Sequence, residues 1–573
     1  MRRRVRVWTA AKTAFKGTRR PVAVATIGLL ALLVVAAAAL AACGSSTSGG
    51  GGATSGTTPQ RGGTLIVTFQ ADPVTLDPAI DFEGPGWALE HCLFGNLLNY
   101  SSGPGAAGTK IMPDMATEVP TVANGGITNG GRTYIFHIRP GIRFAPPVSR
   151  ECTAADFVYS FQRMMSSPTA PGKGYYAGIV GEQAFLDGKA KTITGYRATG
   201  KYTLEVDLEK PNATFLNIME MPFNAPMAKE WVAKWGKQVG RHPLGTGPYQ
   251  LDHWQAAQDI LITRNPNYTG TAGYLDAIHF EYSVTPTTAV LKVQGGDADL
   301  LGDYIPPANY PGLIASPQWK SQVVVEPAVA LNCLFMNVTV KPFDNLLVRQ
   351  AIEWAIDRQK IVKLLSGTGM ALNQIYPAGL PGHVDGTAGD FYGYDPAKAK
   401  QLLSQAGFPN GFKTTLYSSN VAPWPTLLQS IQYDLAQVGI KANIKLLEQA
   451  TYWAQIGKKG ACGVGMNNWW MDYPDPFDFI NGMLSKSTAI NLGSNPSFWW
   501  DPTIEKDLVT AQAMTDPVAR LALYDQMQTH IMGQAPLVPL YQSVVTTLHS
   551  KRSGGVYLHP VWIFDYEHYW VSK

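Results

Sequence analysis

Leu40-Ala41-Ala42-Cys43 divides this 573-residue chain into a part that can build a core and a part that cannot. Ahead of it stand Arg2, Arg3, Arg4, Arg6, Lys12, Lys16, Arg19 and Arg20 with no acidic residue, then an apolar run from Val22 to Leu40. Behind it lies a Gly/Ser/Thr-rich tether, residues 43–62, with too little apolar surface to fold. A basic region, an apolar run, small residues and a cysteine follow the order of a lipoprotein signal peptide. Residues 1–42 are expected to be removed, leaving Cys43 to carry lipid. The apolar run is also near the ~20 residues that span a bilayer, so an uncleaved transmembrane helix competes. The placing of Cys43 and the tether behind it favour the lipoprotein. The rest of the chain is then expected on the extracytoplasmic face of the cell membrane, in a periplasmic space or at the cell surface.

Removing 1–42 takes away eight of the 46 basic residues and none of the 42 acidic ones. The apparent net charge of +4 becomes about −4, from 38 basic against 42 acidic side chains. No basic cluster follows Arg20, so a nucleic-acid partner is not expected. The ~510 residues after the tether exceed what one hydrophobic core holds and suit two or three domains. Besides Cys43 there are Cys92, Cys152, Cys333 and Cys462, an even number compatible with disulfides outside the cytoplasm; four cysteines allow three pairings. None sits in a CxxC, so neither redox chemistry nor a structural zinc is expected.

Strands and helices alternate along the chain. Residues 63–69 and 134–138 alternate as strands, the second stopping at Arg139-Pro140-Gly141, and 202–208 repeats the pattern. Thr153 with Asp156 three residues on marks a helix start, and Phe157, Val158, Phe161, Met164 and Met165 recur at helical spacing. Asp395-Pro396 opens a helix through Leu403 that ends at Gly407. Residues 412–417 read as a strand, and 426–438 as a helix closed by Gly439. Helix-then-strand units of this kind predict sheets covered by helices, an α/β fold.

In this order the chain carries VTLDPAI (74–80), YIFHIRPGIRF (134–144), TAADFVYSFQRM (153–164), PLGTGPYQL (243–251), RNPNY (264–268) and VQGGDADL (293–300). KPFDNLLVRQAIEWAIDRQKIV (341–362), YDPAKAKQLLSQAGFPNGF (394–412) and WWMDYPDPFDF (469–479) follow. The set resembles the family 5 extracellular solute-binding proteins of ATP-driven oligopeptide and dipeptide importers. One departure is Ala145-Pro146-Pro147, where the family has an Asp-Gly turn. The resemblance implies a two-lobed, periplasmic-binding-protein-like α/β fold (class II, cluster C type). Lobe one would span about 61–300, with an extra subdomain about 101–240; lobe two 301–534; and 535–573 would return to lobe one. On these lobes the pairs Cys92–Cys152 and Cys333–Cys462 are expected, since neither would clamp a closing hinge.

The same resemblance places the α-ammonium of a peptide ligand on Asp472. A buried positive end needs a compensating carboxylate, and Trp469 and Trp470 offer flat apolar walls beside it. Against this, Asp-Tyr-Pro-Asp-Pro is rich in turn formers, which would leave Asp472 a cap and the tryptophans core. Asp475 and Asp478 are expected to bind local backbone amides, and Arg349 to anchor its own helix. Asp81 to Trp87, with Glu83 and Gly84, is expected to be a loop at the cleft mouth offering backbone groups to an extended peptide. Gly245-Thr246-Gly247-Pro248-Tyr249 lacks the Lys-Ser/Thr of a phosphate loop and reads as a structural turn. No HExxH, GxSxG or metal-ligand spacing occurs, so neither an enzyme nor a cofactor is expected. The partners implied are a short peptide, the membrane permease with its cytoplasmic ATPases, and the membrane itself through Cys43; a monomer is expected. An oligosaccharide, metal chelate or haem is the alternative cargo, and a tethered glycosidase-like enzyme the rival class.

Overall fold

The computed structural model describes residues 58–271, 273–386 and 391–572. The signal peptide 1–42, Cys43 and the tether up to residue 57 lie outside the described residues. Among those described, no helix is long and apolar enough to cross a membrane.

Local sequence rules set the first elements. Thr64–Thr68 is a strand with Leu65 and Val67 fully buried, paired in parallel with Ala277–Glu281 on one side and Leu300–Leu301 on the other. Asp259–Arg264 and Tyr249–Gln255 extend the sheet antiparallel, which makes five strands. A separate four-stranded sheet runs Ile127–Thr128, Thr133–His137, Thr203–Asp207, Tyr196–Gly200. The helix Ala154–Ser166 packs against it through Phe157, Phe161, Met164 and Met165, all fully buried. Asp156 folds back on the residue before that helix, accepting from the Thr153 N–H at 2.8 Å and its hydroxyl at 3.1 Å. These two sheets make the first lobe.

The second lobe is built on six strands in the order Met370–Ala371, Leu537–Leu548, Val323–Met336, Val464–Trp470, Lys413–Ser419, Lys441–Leu447. Its helices sort into two apolar clusters. Val348, Ile352, Leu427, Ile431 and Tyr452 enter one, and Phe479, Ile480, Tyr524 and Ile531 the other.

Two long strands run between the lobes. Val323–Met336 and Leu537–Leu548 pair antiparallel from Val323↔Leu548 to Pro327↔Val544, then resume at Leu331↔Gln542. The first strand carries the extra residues, a bulge at 328–330. Here the faces separate: Ala328 and Ala330 join the cluster of the five-stranded sheet, while Val329 and Leu331 join a cluster of the second lobe. Gln542, 1 % exposed, holds the bulge. Its Nε2 donates to Ala328 O at 3.0 Å and Ala378 O at 2.8 Å, and its Oε1 accepts from Ala378 N at 2.9 Å. Tyr310, Leu313 and Trp319 form a cluster with Val290, Leu301 and Leu548. The change from one cluster to the other therefore falls within Val323–Met336.

The expected disulfides are not formed. Cys92, Cys152, Cys333 and Cys462 are all free and buried, each in a different apolar cluster. They pack as small hydrophobic side chains, the commonest use of a buried thiol.

Candidate functional site

Asp472 lies two residues beyond the end of the strand Val464–Trp470 and is 2 % exposed. Its N–H donates to Asp478 Oδ2 at 2.8 Å. Asp478 also accepts from the Trp469 indole N–H at 3.1 Å. Asp475 caps the helix Pro476–Leu484 by accepting from Phe477 N at 2.9 Å, and it makes a two-pronged ion pair with Arg520 at 2.6 and 2.8 Å. Thus Asp475 and Asp478 do bind local amides, as the turn-rich motif implies. The Arg520 pairing has no signature in the motif, because its partner lies on the helix Pro517–Gln534.

The Asp472 carboxylate receives a donor from the other lobe. Tyr175, in the short 3₁₀ turn Pro171–Tyr176, donates its hydroxyl to Asp472 Oδ2 at 2.5 Å. Around it stand aromatic rings of both lobes. Phe82 lies 5.4 Å from Trp87 and 5.5 Å from Phe223, and Tyr175 lies 6.2 Å from Phe223 and 6.4 Å from Tyr473. Other contacts join the lobes nearby: Ala213 N donates to Gln512 O at 2.9 Å, and Gln512 Nε2 to Thr214 Oγ1 at 3.3 Å. An acid at the end of a strand, closed over by a phenol and by rings, can receive a cationic group in a water-poor space.

The two tryptophans divide. Trp469 lies against Gly482, where a β-carbon would come within 2.4 Å of the ring; with its N–H on Asp478, it is packed into the second lobe. Trp470 turns the other way and packs against the cluster of the five-stranded sheet. Its indole N–H is buried with no hydrogen-bond partner among the described residues. Trp470 is the better candidate of the two for a ligand contact between lobes.

Asp81 to Trp87 is not a plain loop. The helix Gly84–Leu93 begins inside it, with Glu83 as the N-cap residue, and Trp87 N–H donates to Glu83 O at 2.9 Å. Pro85 in the first turn sets the helix start. Gly86 is required because the Asp81 carboxylate sits where its β-carbon would be, 2.0 Å away. Gly84 approaches Ile563, with a β-carbon position 3.3 Å from Cδ1. Gly245 and Gly247 are structural: β-carbons there would lie 2.3 Å from Leu93 O and 2.6 Å from Cys92 O. Arg349 donates to Gln534 O from Nε and Nη2 (3.0 and 2.8 Å) and to Phe343 O at 2.9 Å, so it ties its helix to the end of another. Tyr175 and Phe223 escaped the sequence reading: GKGYY and MPFN carry no chemical signature, and only the chain path brings them to Asp472.

Among the described residues no group of three or more His, Cys, Asp or Glu side chains could hold a metal ion. The family model of bacterial extracellular solute-binding proteins, family 5 (middle), matches residues 110–491, more than half the chain. The glutathione-binding protein GsiB of Salmonella typhi is 29 % identical over 448 residues, covering 77 % of this chain and 83 % of the relative. The periplasmic binding protein DppA from Helicobacter pylori, solved with the peptide STSA, is 26 % identical. It superposes with a TM-score of 0.73 over 90 % of this chain and 99 % of its own. The clavulanic acid biosynthesis oligopeptide binding protein 2 shares the fold with a TM-score of 0.82 at 23 % identity, over 90 % of this chain and 96 % of its own. This chain belongs to the family 5 bacterial extracellular solute-binding proteins.

Proposed function

We propose that the protein is the receptor of an ABC importer. It captures short peptides between two closing lobes and passes them to a membrane permease driven by separate ATPase subunits, tethered by lipid on Cys43. The observation that carries the reading is the buried Asp472 carboxylate, reached from the opposite lobe by the Tyr175 hydroxyl. A peptide's α-ammonium entering between the lobes meets that carboxylate with little water to compete, so the pairing is strong only when the lobes are together. Trp470 and the Phe82–Trp87–Phe223 rings supply apolar walls, and main-chain hydrogen bonds tolerate varied side chains. The peptide in the Helicobacter structure and the name of the Salmonella relative support this class of cargo.

Mass spectrometry of what co-purifies with the protein tests the cargo: short peptides support the reading, and an oligosaccharide or metal chelate overturns it. The role of Asp472 has its own test. For a confirmed peptide ligand, Asp472→Ala is expected to weaken binding by about 3 kcal/mol, roughly 150-fold in Kd. Acetylating the peptide's amino terminus should cost the wild type a similar factor and the variant almost nothing. A variant as sensitive to acetylation as the wild type removes Asp472 from the site.

A further inference from the structure

One turn beyond Trp87 on the helix Gly84–Leu93 lies a cavity of about 20 Å³, the size of a water or an ammonium ion. Glu90, His91, Asn96, Asp114, Glu220 and Trp562 line it, and no lysine or arginine does. Glu90 is 1 % exposed, and both its carboxyl oxygens are buried without a hydrogen-bond partner. Glu220 is 3 % exposed and makes no ion pair among the described residues. Asp114 accepts from Asn96 N at 2.6 Å and has Arg139 at 3.9 Å, so its charge is partly met.

The other polar groups on the wall supply no cation. Asn96 spends its amide on Glu220 O and Met221 O, at 2.7 and 2.9 Å. Burial lowers the His91 pKa and favours the neutral ring, which stacks on Trp562 at 4.8 Å. Burial first, and then neighbouring carboxylates, push Glu90 and Glu220 well above the usual range, so with the space empty each holds a proton, and an entering cation takes that proton's place as the carboxylate forms. A carboxyl with two empty acceptor oxygens costs a few kcal/mol to leave unmatched. The two empty oxygens of Glu90, with the buried Glu220 carboxyl beside them and no basic side chain on the wall, call for a compact donor of positive charge. The Trp562 indole N–H is also unpartnered, so a water oxygen beside the amine completes the site.

We infer that this cavity is a second binding site, one for a primary ammonium group, held by Glu90 with Glu220 beside it and roofed by Trp562. The group can come from free ammonium or from a lysine side chain of a captured ligand, and two arms of one experiment separate these. In the first, thermal melts of the protein are compared in ammonium, sodium and tetramethylammonium chloride at equal ionic strength. Ammonium alone is expected to raise Tm by about 2 °C. In the second, paired peptides differing only by lysine against norleucine are titrated, and a lysine preference of tenfold or more is expected if the ligand supplies the group.

Glu90→Gln keeps the shape, removes the charge and should abolish whichever response the wild type shows; Glu220→Gln serves the same purpose if the first variant does not fold. A response in either arm that is lost in the variant supports the site. No response in both arms, or one unchanged in the variant, overturns it. The first arm stands whether or not the cargo is peptide.

Discussion

His559, 3 % exposed, has both ring nitrogens engaged. Nδ1 lies 3.2 and 3.1 Å from the N–H groups of Val561 and Trp562, and Nε2 lies 3.1 Å from Ser101 O. Nδ1 must accept, so the ring is neutral and carries its proton on Nε2. Burial pulls its pKa down to about 4, against the opposing pull of the Asp565 carboxylate. The unfolded chain protonates near pH 6.5, well before the folded one. This contribution to stability is therefore complete above pH 6.5 and falls as pH drops toward 4, by about 3 kcal/mol for a shift of this size. Urea unfolding of wild type and His559→Asn should show the wild type more stable at pH 7. The gap should close or reverse by pH 4, since the other titrating groups cancel in the difference. A gap that stays constant with pH would mean that folding leaves the His559 pKa unchanged, and one that widens toward pH 4 would mean that the ring is protonated in the fold.

Between elements, Gly247 fits closely against the helix Gly84–Leu93. A β-carbon there would meet backbone, the Cys92 carbonyl, which has no side chain to swing aside. Gly247→Ala is expected to destabilise by roughly 1–3 kcal/mol, as overpacking does. Gly312, in the helix Tyr310–Ala315 with nothing within 4 Å, provides the contrast. There alanine should be neutral or stabilising by up to about 1 kcal/mol. Denaturant midpoints of the two variants check both. Such contacts mark the limit of what can be read from the chain. The starts at Thr153 and Asp395 were legible because a cap is a local contract between a side chain and amides two or three residues on; Asp395 accepts from Ala397 and Lys398, at 3.0 and 2.9 Å. The motif around Asp472 was legible as a motif. Its Tyr175 partner, the Asp475–Arg520 pair and the separate burial of four cysteines depend on contacts distant in sequence, for which spacing carries no signal. The helix from Gly84 was missed because two glycines and a proline read as loop, whereas here Pro85 starts the helix and Gly86 makes room for Asp81.

At the scale of the molecule, two kinds of structure govern whether the lobes stay together. One is the strand pair Val323–Met336 and Leu537–Leu548, whose bulge is the natural place for bending because the ladder is already interrupted there. The other is the set of contacts across the cleft, of which the Tyr175–Asp472 bond is the charged member. A hydrogen bond to a charged group contributes about 1.5–3 kcal/mol, and its loss is a cost that the closed form alone bears. The open form, where water reaches Asp472, has no such penalty. Tyr175→Phe is therefore expected to shift the ligand-free population toward open by about tenfold or more, with little change in the stability of either lobe. Small-angle scattering should then give the variant a larger radius of gyration than wild type without ligand, and the two should converge when peptide is added. Equal radii without ligand would mean that the apolar and backbone contacts hold the lobes by themselves. Tyr175 would then act on the ligand's affinity alone, through the orientation of Asp472.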